Sequence, residues 1–350
     1  MRVAVVIPVK NEEIGLGELL DRLCAQLRPG DSICITDAGS TDRTLEILRA
    51  RSAADTSIHV FEAPGALPGR GRNIAISNAE ADIIAQIDGG NLLNDCWLDE
   101  LRKPIEAGAA DYVTGNLWPM PIPKRFFGAE IDMGEIYAAT LFRGPICPEE
   151  KDPEGIGRTR QGAAGGQGCA YRREIWERAG GFPEWLRYGE DPAFIQKLAQ
   201  QDIRYAFAVN SVILWQLGPG LGKALKRHFE QRVSLYRRPA SRRRMLPKTA
   251  LYLAYAVTIA FSLFSTVGLA AAFVLTALLS GHQTYKSYKA YWQSPRRTPA
   301  QDLAALFIFP AIHVPILFVW LWGTLYGLVV FSRGQPKRDY NERLEQYLRT

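Results

Sequence analysis

Asp88 closes the short, mostly apolar run 83–87 and is followed at once by Gly89-Gly90. A run of that length suits a buried strand, and paired glycines mark a turn directly after it. In an open α/β sheet, ligands collect beyond the carboxyl ends of the strands, so Asp88 faces the crevice where chemistry is expected. A carboxylate there can hold a divalent cation or a sugar hydroxyl, and a neighbouring glycine lets a phosphate approach the backbone. Three other segments carry polar groups at comparable places: Pro8-Val9-Lys10-Asn11-Glu12, Asp37-Ala38-Gly39-Ser40-Thr41-Asp42 and Gly71-Arg72-Asn73. The Arg72 guanidinium offers a fork that matches phosphate oxygens. Further along, Gly189-Glu190-Asp191-Pro192 sets two carboxylates at a helix start. Asp191 can take the proton of an attacking hydroxyl, and the helix dipole there favours its ionised form.

The elements that must position these groups alternate regularly. Residues 3–9 read as a buried strand of β-branched residues, and Asn11 caps a helix whose apolar face is Ile14, Leu16, Leu19, Leu20 and Leu23. A second strand over 32–36 ends at Asp37, and Ser40 or Thr41 caps the next helix, carried by Leu45, Ile47 and Leu48. A third strand over 58–61, a helix through Ile74, Ala75 and Asn78, and the strand before Asp88 follow, then a helix over 97–105 and a strand over 112–114. This rhythm predicts an α/β fold with a Rossmann-like, mostly parallel sheet. Prolines and glycines break the rhythm between 116 and 168, where irregular structure around a helix near 134–142 is expected to shape a pocket. Helices over 173–179 and after Pro192, then short strands over 204–208 and 212–215, complete the domain.

The net charge of +6 is concentrated. Residues 223–248 hold ten Lys or Arg against one acid, Glu230. An uncharged apolar stretch follows immediately, which favours anionic lipid over nucleic acid as the partner of this basic amphipathic segment. The five cysteines are scattered, which argues against a disulfide framework or structural zinc and fits a reducing cytoplasm. Residues 249–280 and 303–332 contain no Lys, Arg, Asp or Glu, and each exceeds the roughly 20 residues that span a bilayer. One crossing per stretch would put Lys286, Lys289, Arg296 and Arg297 outside, against the positive-inside rule; a hairpin turning near residues 265–268 would keep them inside. Pro310 and Pro315 predict a kink in the second stretch, and His313 a hydrogen-bonded packing role. The expected organisation is a catalytic domain over 1–222, an interfacial linker over 223–248, membrane helices over 249–332 and a charged tail over 333–350.

Taken as a set, the segments around Pro8, Asp37, Arg72, Asp88 and Asp191 resemble the family 2 glycosyltransferases over roughly residues 1–240. These are inverting, nucleotide-sugar-dependent enzymes with the GT-A fold, and many carry C-terminal membrane helices. The resemblance implies that Pro8, Asn11 and Glu12 line the nucleobase pocket and that Asp37 faces the base or ribose. Arg72 would meet the nucleotide or its diphosphate, with Asp88 and Gly89 also at the donor. Asp88 stands where the metal-binding Asp-x-Asp begins, so that alone or with Asn91 or another oxygen it would hold Mg2+ or Mn2+. Asp191 would be the general base, with Glu190 beside it. Gly166 and Gln167, from a glycine-rich strip, and Trp215 would border the sugar and acceptor pocket. Ala38, Gly90 and Ala193 stand where the family usually has carboxylates. The implied function is a membrane-attached inverting glycosyltransferase on the cytoplasmic face of the inner membrane. It would move a sugar from a UDP- or GDP-linked donor to a lipid-linked or glycan acceptor. A catalytically silent scaffold of the same fold stays open because of the three missing carboxylates. A nucleotidyltransferase is disfavoured, since its first strand is followed by a glycine-rich segment rather than Pro-Val-Lys-Asn-Glu.

Overall fold

The computed structural model describes residues 1–349 apart from 127, 142–149, 152–155, 159–167, 188, 216–221, 223, 224, 227, 231, 234–238, 293–297, 333 and 334. The chain forms two compact units, the first made of Met1–Trp118, Ile146–Gln216 and Tyr347–Thr350, the second of Pro119–Pro145 and Leu217–Gln346.

The first unit opens with the expected alternation: β1 (Val3–Val9), α1 (Leu16–Cys24), β2 (Ser32–Asp37), α2 (Thr44–Ala54), β3 (Ile58–Glu62), α3 (Pro68–Ser77) and β4 (Ile83–Gln86). The four strands lie in the order β3-β2-β1-β4, all parallel, with Val9 opposite Asp37 and Val6 opposite Gln86. β1 is buried on both faces, as a central parallel strand must be. Its side chains alternate between two cores. Val3, Val5, Ile7 and Val9 pack with Leu16, Leu19, Leu20 and Leu23 of α1, while Ala4 and Val6 pack with Ala75 and Ile76 of α3.

Past β4 the sheet becomes antiparallel. After β5 (Asn91–Leu93), α4 (Trp97–Glu106) and β6 (Tyr112–Pro119), the second unit contributes β7 (Pro123–Phe126), β8 (Ala129–Asp132) and α5 (Met133–Leu141). The chain continues through β9 (Glu150–Lys151), β10 (Ile156–Arg158), β11 (Cys169–Arg172), α6 (Arg173–Arg178), α7 (Glu190–Leu198) and β12 (Tyr205–Trp215). β11 inserts between β4 and β6 and runs antiparallel to both. The two short strands expected over 204–215 are one continuous strand, which pairs with β5 at one end and β10 at the other.

Two expected helix caps are corrected. Asn11 sits at φ +57°, and its side-chain oxygen accepts from the Thr41 amide at 2.8 Å, while α1 starts after Gly15. Ser40 is drawn into the β2 loop, and α2 starts at Thr44, whose amide donates to Asp42 at 3.0 Å. In both cases a polar side chain that suits a cap is used instead to tie two loops together.

In the second unit, α8 (Pro239–Ser262), α9 (Thr266–Tyr291) and α10 (Pro299–Ser332) are long helices. The chain turns between α8 and α9, close to where the hairpin alternative would turn; the Ser265 hydroxyl caps α9. At 24 and 26 residues, the two arms are about 36 and 39 Å long, because both helices run past the apolar stretch into flanking polar sequence. The helices over Thr266–Tyr291 and Pro299–Val329 are long and apolar enough to cross a membrane. Both leave large apolar side chains in the open: Phe273 on α9 is 76% exposed and Trp322 on α10 is 64% exposed. His313 lies 2.9 Å from the Ser287 hydroxyl, the packing contact expected of it. Residues Gln335–Arg349 form a last helix, α11.

A buried ion pair that sequence reading did not single out anchors the first strand. Asp31 accepts from the Val3 amide at 2.8 Å and the Arg28 amide at 2.9 Å, and pairs with the buried Arg102. Removing one partner of a buried pair leaves the other charge uncompensated. Asp31→Ala is therefore expected to destabilise the first unit by about 3–5 kcal/mol, read as a lowered urea midpoint by tryptophan fluorescence.

Candidate functional site

A cavity of about 600 Å³ opens in the first unit at the carboxyl ends of β1, β2 and β4. Pro8, Lys10 and Glu12 border it after β1, Thr36 and Ala38 at the end of β2, and Asp88 and Gly89 beyond β4. Arg72 enters from α3, and Arg187, Glu190 and Asp191 from the chain around the start of α7. This is where an α/β sheet is expected to hold a ligand.

Arg72 organises the floor. Its side chain is 2% exposed, and its two terminal nitrogens reach three carboxylates from two segments. Nη2 donates to Asp88 Oδ1 at 2.9 Å and Nη1 to Glu190 Oε1 at 2.9 Å, while Asp191 Oδ1 lies 3.0 Å from Nη1 without an aligned hydrogen bond. Burial works against the guanidinium charge, but Asp191, Asp88 and Glu190 outweigh it and hold Arg72 well above its ordinary range.

The sequence builds this contact in a few steps. The Thr36 hydroxyl donates to the Gly71 carbonyl at 2.9 Å, tying α3 to the end of β2. The Asn73 side chain brackets Phe182, accepting from its amide at 2.8 Å and donating to its carbonyl at 2.9 Å. Phe182 in turn lies under the Arg72 guanidinium, 5.6 Å from its ring centre. Gly189 takes φ +88°, a conformation that a side chain disfavours, and from it α7 begins with Glu190 and Asp191 in its first turn.

Asp191 is 18% exposed. Burial pushes its carboxyl up to about 7; Arg72 pulls it down, and Glu190 and Asp88 push it up again. Here burial and like charge defeat the helix dipole, which alone would favour the ionised form. Glu12 is also raised, first by burial and then by Asp88 and Asp42. A methyl group added at Gly89 would meet Glu12 Cγ at 3.2 Å, so Glu12 and Asp88 share one wall of the cavity.

Pro8, Glu12, Arg72, Asp88, Gly89, Glu190 and Asp191 therefore meet in one place. Asn11, Asp37 and Trp215 do not line that cavity. Asp37 is buried and accepts from the amides of Gly39 at 2.9 Å and Ser40 at 3.0 Å, shaping the β2 loop from below. Trp215 pairs with Asn91 across β12 and β5, and Asn91 is itself buried. Gly166 and Gln167 lie outside the described residues. Sequence reading did not single out Lys10, Thr36 or Arg187 as site residues. Lys10 could have been found, since it sits inside the Pro8–Glu12 segment; Thr36 and Arg187 carry no local signal.

Residues 4–153 match the model of glycosyl transferase family 2. They form a family 2 glycosyltransferase domain. The strand order β3-β2-β1-β4 gives it the parallel α/β half expected of it. Among curated relatives, the chain is 25% identical over 240 residues to the succinoglycan biosynthesis protein ExoA of Rhizobium meliloti, covering 63% of this chain and 68% of that protein. It is 27% identical over 141 residues to the glycosyltransferase GlyA of Streptococcus pneumoniae, covering 40% of this chain. It is 30% identical over 114 residues to the poly(ribitol-phosphate) beta-N-acetylglucosaminyltransferase TarS of Staphylococcus aureus, covering 32% of this chain. The match spans only 20% of the length of GlyA and of TarS. Among solved structures, TarS 1-349 in complex with UDP-GlcNAc superposes with a TM-score of 0.47 at 17% identity, covering 89% of this chain and 90% of that one. The mannosyltransferase PcManGT of Pyrobaculum calidifontis, in complex with GDP-Man and Mn2+, gives a TM-score of 0.47 at 18% identity, covering 99% and 84%.

The Asp191 carboxyl has a stability signature of its own. Its native value near 7 lies above its ordinary 3.8, so the folded state holds the proton more tightly than the unfolded chain does. The resulting stabilisation is complete below about pH 4 and is lost as pH rises through 7. Asp191→Asn is expected to flatten this part of the stability profile between pH 4 and 8, measured by chemical denaturation of both proteins across that range.

Proposed function

We propose that the protein is an inverting glycosyltransferase that moves a sugar from a nucleoside-diphosphate donor to an acceptor hydroxyl, with Asp191 as the general base. The carrying observation is the convergence of Arg72 and Asp88, within the residues that match family 2, with Glu190 and Asp191 on one cavity. Inversion requires a hydroxyl delivered opposite the leaving nucleoside diphosphate and a carboxylate that removes its proton. A base near 7 suits that role, because it is ionised in a useful fraction at neutral pH and still binds the proton it takes. Arg72 holds that base in place beside Glu190, and its charge keeps the neighbouring carboxylates compatible with burial. Lys10 and Arg187 line the same cavity and supply further positive charge toward a diphosphate.

Mg2+ or Mn2+ fits the donor set. Glu12 and Asp88 offer hard carboxylate oxygens on one wall, and Glu12 supplies the second acid that Gly90 lacks. Among the described residues no three acidic, His or Cys side chains converge to hold an ion unaided, which suits a cation shared with substrate phosphates. When bound, it would neutralise charge on the leaving diphosphate. A UDP- or GDP-linked donor is the proposed substrate class, its diphosphate meeting the basic side chains of the cavity. The acceptor is proposed to be lipid-linked or a growing glycan. Support comes from the relatives ExoA, a succinoglycan biosynthesis protein, and RfbN, an O-antigen chain rhamnosyltransferase, and from the exposed apolar helices on the same chain. Those helices, with the basic segment 223–248, are read as attaching the protein to the inner membrane, its family 2 domain in the cytoplasm.

Turnover of a panel of UDP- and GDP-sugars by the detergent-purified protein tests the activity, with Mg2+, Mn2+ or chelator. Asp191→Asn is expected to lose about 10²–10⁴-fold in turnover while still binding nucleotide, and wild-type rate to rise with pH through about 7. Full turnover in the variant would remove Asp191 from the base role, and failure to bind any nucleotide would overturn the reading altogether. Membrane attachment has a separate check. The protein is expected to stay in the membrane pellet through an alkaline carbonate wash, whereas a peripheral protein would be released.

A further inference from the structure

A second cavity, of about 280 Å³, lies within the second unit. His228, Arg232, Lys248, His282 and Lys286 line it, and none of its lining residues is an Asp or Glu. Its remaining walls are largely aromatic and aliphatic, from Tyr252 and Leu251 of α8, Leu279 of α9 and Trp320 of α10. The cavity is a built feature. Arg232 is buried, its Nε donates to the Thr324 hydroxyl at 2.9 Å, and its guanidinium lies 4.5 Å from the Tyr252 ring centre and 5.8 Å from that of Trp320. His228 meets the Trp320 ring edge-on at 5.8 Å.

Its height along the helices identifies what would enter it. α8 carries no charged residue from Thr249 onward, and α9 carries none up to Ser280. Because the two arms form a hairpin, Lys248 at the start of one apolar run and His282 at the end of the other come to the same end. Lys286 follows one turn later on the same face of α9. Outside the cavity the surface is apolar, with Leu278 65% exposed and Leu253 41% exposed. A half-apolar wall suits a phosphate that brings hydrocarbon with it better than a free ion. Basic pockets at this level between membrane helices suit anionic headgroups.

We infer that this cavity binds the phosphate group of a membrane lipid, its chain lying along the apolar outer face of the α8–α9 hairpin. The guanidinium of Arg232 is the fixed recognition group, and Lys248 and Lys286 add point charges on flexible stems. The inference rests on the membrane-attached reading above, and it does not depend on the sugar-transfer chemistry.

The test uses the full chain, delipidated in detergent and titrated with phosphatidic acid, phosphatidylcholine or glycerol phosphate. Lipid retention is read by native mass spectrometry and by the shift in thermal midpoint. Phosphatidic acid is expected to bind and stabilise, and Lys248→Gln and Lys286→Gln each to weaken it by about tenfold. Lys226→Gln, in the same basic segment but outside the cavity, should bind as wild type does. These variants leave the buried Arg232 in place, so folding is not at stake. Equal binding by the Lys248 and Lys286 variants, or glycerol phosphate binding as tightly as phosphatidic acid, would overturn the inference. Donor turnover on the same samples keeps the two readings separate: lipid binding lost in the variants with sugar turnover intact supports this site and leaves the proposed activity standing.

Discussion

One guanidinium carries more of the first unit's site than any other group. Arg72 is almost fully buried and touches Asp88, which follows β4, and Glu190 and Asp191, which open α7, more than a hundred residues later. Taking that many charges from water is costly, and each is tolerable only because the others are present. The cluster thereby fixes where α7 begins relative to the end of β4. A neutral residue at 72 would leave three carboxylates crowded together, and a Lys could not reach them with a planar fork.

The cluster still carries excess negative charge, and the proposed chemistry follows from that excess. One cation faces three carboxylates, with Glu12 as a fourth on the neighbouring wall. The surplus has two outlets. A proton can reside on Asp191, whose carboxyl is pushed up to about 7, or a divalent cation can join the Glu12–Asp88 wall together with a diphosphate. The same imbalance thus suits both a base near neutrality and a donor site that favours a cation. Glu12 also bears on the family pattern: it borders the cavity from the β1 loop, where Gly90 brings no acid.

The second unit answers to a different constraint. Its helices α8, α9 and α10 bury some apolar side chains among themselves, in clusters that include Tyr255, Leu317, Phe309 and Ile316. They leave others, such as Phe264 and Phe273, in the open. In water that surface would be an aggregation hazard, whereas in a bilayer it is the solvent-facing side. Several polar groups on these helices pair within the unit: Tyr255 with Thr276, His313 with Ser287 and Tyr291 with Asp302.

By itself the sequence determined the parts that depend on local periodicity and chain-order spacing. The strands of the parallel half, the amphipathic α1, the uncharged stretches and the segments around Pro8, Arg72, Asp88 and Asp191 were all legible, because each is written in a few consecutive residues. Tertiary structure decided what depends on residues far apart in the chain. It brought Arg72 to Glu190, merged 205–215 into one strand through its partners, and engaged the Asn11 and Asp37 side chains in hydrogen bonds that tie their loops. It also reversed the expected electrostatics of Asp191. The helix dipole is a local property that sequence reveals, but burial and the neighbouring Asp88 and Glu190 arise only once the chain has folded, and their effect is larger.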